Sequence, residues 1–142
     1  PQLLRVAGAR TAGTVTWMVG PATIAELTTP TICAAAADAG YPDPRIVCSL
    51  PVSVTDDVDA ARDRASKLFQ IYGQLPSSRA MLDREGAAGP EDVAIIGGED
   101  EVAGRIRALA DAGVTDFAAS EFGPSRADRQ RTRELLRSLV RA

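Results

Sequence analysis

The residues of this chain best suited to chemistry lie in turns that follow apolar runs. The first group is Trp17, Met18, Val19, Gly20 and Pro21, which close the stretch GTVTWMVGP. Trp17 is the only tryptophan. An aromatic and a thioether can face a flat ring. A glycine lets backbone approach a ligand, and the start of a helix presents N–H groups to an anion. The second group is Gly123, Ser125 and Arg126, with Arg131 one turn further on. It combines a glycine turn, a hydroxyl and guanidinium groups at a helix start, a donor set suited to phosphate or carboxylate.

Other groups are set aside. Gly97-Gly98 look like a phosphate turn, but Glu99, Asp100 and Glu101 follow at once, repel an anion and satisfy the helix dipole themselves. Arg129, Arg133, Arg137 and Arg141 recur every four residues and read as the solvent face of the last helix, with Leu135, Leu136 and Leu139 inward. The chain has no histidine, which removes the usual general base and the commonest zinc ligand. No catalytic side chain and no metal site are identified. Cys33 and Cys48 lack metal-ligand spacing and read as buried thiols of a reducing, cytoplasmic compartment.

The totals bound the class. A chain of 142 residues, 45% hydrophobic and 25% charged, has room for one domain. A net charge of −3 argues against nucleic acid and anionic membrane as partners. No apolar run approaches the roughly 18 residues of a membrane span.

The elements that position these turns alternate. A helix is expected over 1–10, with Leu3, Leu4 and Ala7 inward, then a strand over 14–19 buried on both faces. Thr23 and Glu26 match a capping box, and Pro30 requires a kink or restart near Thr29. Arg45–Val54 reads as a second strand, with Pro51 marking a stop or bulge in its ladder. Thr55 is placed as the cap of a helix running to Tyr72, and a shorter helix ends at Glu85-Gly86. A short apolar run at 93–96, a helix over 99–112, a third strand over 114–119 and a helix over 126–140 complete the chain.

This order is an α/β class with parallel strands. Three good strands leave sheet edges and one face uncovered, whereas a (β/α)8 barrel needs about 250 residues. The chain therefore reads as a single partial domain over 1–142, the C-terminal half of a TIM barrel. Isolated copies are expected to form homo-oligomers through the open sheet edge.

The series PQLLRVAGARTAGTVTWMVGP, RIVCSLPVSVTDD and EDVAIIGGEDEVAGRIRALADAGVTDFAASEFG resembles the C-terminal half of luciferase-like monooxygenases, most closely the branch that uses the deazaflavin coenzyme F420. The family commonly has Asp-Gly where this chain has Ala12-Gly13. The resemblance implies an oxidoreductase in which hydride moves between deazaflavin and an organic substrate. It places the turn at Trp17–Pro21 at the active end of the barrel, and it puts an arginine from the region of Arg126 and Arg131 on a substrate anion. It also implies that the other half supplies much of the cofactor pocket and the usual catalytic side chains. An FMN-dependent monooxygenase is the alternative within the family. A non-catalytic flavin-binding or dimerising half-barrel is the alternative outside enzymology.

Overall fold

The structure is a computed structural model and describes residues 2–140. One strand is the axis of the fold. β2, Arg45–Val54, is the longest, and every other strand pairs with it in parallel. β1, Gly13–Trp17, runs beside residues 45–49, and β4, Asp116–Glu121, runs beside residues 47–52. Val47, Cys48 and Ser49 therefore have a neighbour on each side. β3, Ile95–Gly97, pairs only with Val52, Ser53 and Val54. Val52 also pairs with Glu121 of β4, so β3 shares the β1 edge, beyond the point where β1 stops.

Pro51 accounts for that break. Arg45 donates to Ala12 O and Ser49 O accepts from Met18, whereas Ile46 O and Val52 O accept from Thr115 and Phe122. Odd residues of β2 thus bond toward β1 and even residues toward β4, as strand alternation requires. The missing N–H of Pro51 falls on the β1 edge, in the gap between β1 and β3. The ladder to β4 passes Pro51 without a break, with Pro51 opposite Ser120. The expected interruption is confined to one edge.

The two faces of β2 differ. Ile46, Cys48, Leu50, Val52 and Val54 are buried and form the main core with Ile24, Ile32, Val102 and Leu109. The helices behind them are α3, Thr29–Asp38, α8, Glu99–Ala108, and α9, Arg126–Leu139. On the opposite face Val15 is 71% exposed, and Ala118 is exposed beside Ser49. The expectation that the first strand is buried on both faces is corrected at its amino end, where Val15 is open; toward the carboxyl ends the same face is covered, with Pro51 and Ser53 buried and Trp17 packed against Phe69 and Tyr72.

Several boundaries move for local reasons. In α1, Gln2–Arg10, Leu3 faces solvent and Gly8 is buried, because a Cβ on Gly8 would lie 2.3 Å from Ile32 O of α3. Ala7 of the expected stripe packs on the core and Leu4 is half-buried, and the close backbone approach at Gly8 sets the face beside them. The helix after β1 begins at Pro21, so Thr23 is inside α2, Pro21–Thr23, and makes no cap. A π-helical turn, Ile24–Thr28, then leads into α3, which restarts at Thr29 with Pro30 in its first turn. Asp57, not Thr55, caps α4, Val58–Leu68, by accepting from Ala60 N–H at 3.0 Å. The helix expected to reach Tyr72 breaks at Phe69. α5, Gln70–Gln74, α6, Pro76–Arg84, and α7, Pro90–Val93, follow. The helix expected to reach Ala112 ends in a 3-10 turn at Ala110–Ala112, and Gly113 takes φ +95°. Arg141, the end of the arginine stripe, lies outside the described residues.

Candidate site at the carboxyl end of the strands

Parallel pairing brings the turn after every strand to one end of the sheet. Met18 follows β1 and leaves the strand abruptly, with φ 55°. A left-handed conformation is unusual for a residue with an unbranched side chain and marks a backbone held by its surroundings. Here Met18 is 2% exposed, and its N–H donates to Ser49 O at 3.1 Å. The turn reverses the side-chain alternation and puts Met18 into a second core beneath α4 to α7, with Leu82, Ile96 and Phe122.

Trp17 packs beside this core. Its ring centroid is 5.8 Å from Tyr72 and 6.0 Å from Phe69, both edge-on. Phe69 stands 5.8 Å from Phe122 at 87°. These are favourable edge-to-face geometries. Phe69 therefore links the two segments singled out in the sequence, the turn after β1 and the turn after β4. The indole N–H of Trp17 is buried without an acceptor, as is the hydroxyl of Ser53 without a partner. Buried donors normally find acceptors, so each is a place where a ligand atom can bond.

Gly20 has a different role from the one expected. A Cβ there would lie 2.4 Å from Glu85 Oε2. The Glu85 carboxylate accepts from Thr23 N–H at 2.6 Å and Ala22 N–H at 3.2 Å. The anion at this helix start is a side chain of the same chain, which replaces the exogenous anion expected at Gly20. Pro21 is exposed at the turn and Val19 packs toward the main core.

At the other segment, Ser125 caps α9. Its hydroxyl accepts from Asp128 N–H at 3.1 Å, and Asp128 accepts from Ser125 N–H at 3.1 Å. The Ser125 hydroxyl, with further polar contacts and nearby Arg131, holds the Asp128 carboxyl below its usual range. Gly123 is buried, and a Cβ there would lie 3.2 Å from the Asp128 Cβ. Arg131 is spent: it donates to Glu99 at 2.8 and 2.9 Å and to Asp56 at 3.0 and 3.2 Å. These bonds raise the Arg131 guanidinium above its ordinary range and lower the Glu99 carboxyl. Arg131 ties together the turns after β2 and β3, and binding a substrate anion there requires displacing both carboxylates. Arg126 is exposed and shares a concavity of about 400 Å³ with Arg129, Arg133 and Arg137.

Phe69, Tyr72, Phe122, Ser53 and Glu85 belong to this end of the sheet but were not singled out from the sequence. Only the aromatic character of three of them could have signalled it. Among the described residues no group of His, Cys, Asp and Glu is placed to hold a metal ion, and no helix is long and apolar enough to cross a membrane.

A flat redox coenzyme needs an apolar wall and donors or acceptors at the ring edge. Trp17 with its free N–H fits such a ring, whereas the start of α2, taken by Glu85, does not fit a phosphate. A parallel sheet with helices over one face, an opposite face open at its amino end, and its irregular residues at the carboxyl ends has the form of half of a (β/α)8 barrel.

The comparisons agree. The sequence model of luciferase-like monooxygenases matches residues 1–116, and the chain belongs to that family. Its fold is similar to that of an F420-dependent secondary alcohol dehydrogenase in complex with an F420-acetone adduct. The identity is 17% and the TM-score 0.78, over 99% of this chain and 47% of that one. It is also similar to the coenzyme F420-dependent tetrahydromethanopterin reductase from Methanopyrus kandleri, at 22% identity and TM-score 0.73, over 96% and 46%. The oxygenating constituent of 3,6-diketocamphane monooxygenase from Pseudomonas putida, in complex with FMN, matches at 20% and 0.67, over 94% and 43%. The chain spans about half the length of these structures. No curated protein sequence matches it.

Proposed function

We propose that this chain forms the carboxyl-terminal half of a coenzyme F420-dependent oxidoreductase, in which hydride moves between the deazaflavin and an organic substrate. The observation that carries the reading is the turn at Trp17-Met18. A left-handed methionine and an unpartnered, buried indole N–H stand at the carboxyl end of a barrel strand, where such barrels hold their ligands. The coenzyme supplies the redox chemistry when bound; the chain supplies orientation and exclusion of water. Trp17, whose buried Nε1–H has no partner, would offer it to a ring-edge acceptor. The aromatic row from Tyr72 to Phe122 closes one wall against water. Met18, Val19, Gly20 and Pro21 hold Trp17 in register by fixing the turn. Arg126, which faces solvent at the start of α9, meets an anionic group of the substrate, with Gly123 and Ser125 shaping the helix start. Arg131 holds the loops in place from behind. No side chain of this half serves as catalytic acid or base.

F420 is favoured because two of the similar structures are of F420-dependent enzymes. FMN is the second reading, favoured by the FMN complex of the monooxygenase. Titrating each coenzyme into the polypeptide as encoded separates them. F420 is expected to quench Trp17 fluorescence and raise the melting temperature, and FMN to do neither. The reverse pattern assigns FMN. No response to either coenzyme overturns an enzymatic role and leaves the dimerising half-barrel. Replacing Arg126 by Gln is expected to raise KM for an anionic substrate about ten-fold, the loss of one charge-assisted contact, with kcat unchanged.

A further inference from the structure

We propose a second ligand site on the helix-covered side of the sheet, behind the turn after β1 whose Pro21 and Glu85 line it, that takes a small monocarboxylate with a short apolar tail. Behind the sheet, against Leu50 of β2 and Ile95 of β3, the structure has a cavity of about 300 Å³. That volume is at the lower end of the range for small-molecule sites. Leu50, Val93, Ile95 and Leu109 supply apolar wall, and all four are buried.

Three charged side chains reach the cavity: Glu85, Asp92 and Arg105. The two carboxylates are already engaged. Glu85 accepts from the Ala22 and Thr23 N–H groups. Asp92 pairs with Arg62 and accepts from Ala88 N–H at 2.8 Å and Gly89 N–H at 3.3 Å. Arg105 is not engaged to the same degree. Its guanidinium donates to Ala94 O at 3.1 Å, and the described residues give it no carboxylate within ion-pair distance. Burial disfavours its charge, and the repulsion of Arg62 adds to this against the pull of Glu101. A half-buried guanidinium has five N–H donors in a planar fork, which matches a carboxylate in two parallel bonds. Arg105 is thus the charged side chain of the lining with N–H donors left to offer, and the apolar wall suits a hydrocarbon chain.

The probe is hexanoate, with hexylamine and hexanol as controls, followed by amide and arginine Nε chemical shifts. Hexanoate is expected to bind weakly, as suits so small a ligand, and to shift Arg105, Ala108 and Leu109 rather than Trp17. Arg105→Gln is expected to weaken it about ten-fold. Ala108 lines the cavity yet is exposed, so Ala108→Trp closes the space without entering the core and is expected to abolish binding. Failure of hexanoate to bind, equal binding of hexylamine, or hexanoate binding that survives Ala108→Trp overturns the proposal. The last measurement decides the matter even if Arg105→Gln does not fold.

Discussion

The two faces of the sheet are made from one strand and have opposite fates. On the helix side, Ile46, Cys48, Leu50, Val52 and Val54 are at most 1% exposed. Burial pushes the Cys48 thiol up to about 11, so it is an inert part of the packing. On the other side, Val15 is open, and the row Val15, Val47 and Asp116 carries an ion pair where a core would have hydrocarbon. The main core lies on one face, and the other is open at its amino end and covered at its carboxyl end by the second core around Met18, Phe69 and Phe122.

The largest test of that contrast is Leu50→Ala, expected to cost about 2–5 kcal/mol in denaturant titration, the range for a buried leucine. Val15→Ala is expected to cost less than about 0.5 kcal/mol, as for an exposed site. Equal costs would mean that the open face is covered in solution. The open face and edge should also drive association, so light scattering at high concentration should report oligomers, and Val15→Glu should return monomers. A wild-type monomer at that concentration breaks this part of the comparison.

A smaller effect is expected where Glu85 reaches from α6 to the start of α2. Glu85→Ala removes a helix cap and should cost about 1 kcal/mol, while Glu85→Gln, which keeps an acceptor, should cost less. No difference between the two variants would separate the cap from its charge.

The smallest effect is at the amino end of the open face, where Arg45 donates to Asp116 at 2.6 and 3.1 Å. Hydrogen bonding from Arg45, then Thr115, lowers the Asp116 carboxyl from its ordinary 3.8 to about 2. A depressed carboxylate contributes its stability above the ordinary value and loses it as pH falls through the folded one. Wild type and Asp116→Asn should therefore differ slightly at neutral pH and converge as pH drops from about 4 to 2. Added salt should shrink the difference, because the pair is exposed. A salt-independent difference would show that the pair is covered.

Much of the architecture was legible in local pattern. Alternating strands and helices, the restart at Thr29 beside Pro30 and the start of the last helix at Arg126 all follow from backbone chemistry within a few residues. The capping box at Thr23 failed for a nonlocal reason: Glu85, 62 residues away, supplies the cap. The stripe of α1 failed only at Leu3: Ala7 packs on the core and Leu4 is half-buried, while Gly8 makes the close approach to α3. Trp17 and Ser125 could be placed at turns, but Phe69 and Tyr72 could not be joined to Trp17, because α5 and α6 fold back over the strand end by packing alone.

What the sequence by itself determined is the alternation of elements, the position of each turn after its strand, and the absence of histidine chemistry. Each is a property of neighbouring residues or of composition. Tertiary structure alone decided which carboxylate meets which helix start, that Arg131 is spent on Asp56 and Glu99, and that Arg105 is left under-bonded beside a cavity. Those outcomes depend on contacts between residues far apart in the chain, which periodicity cannot report.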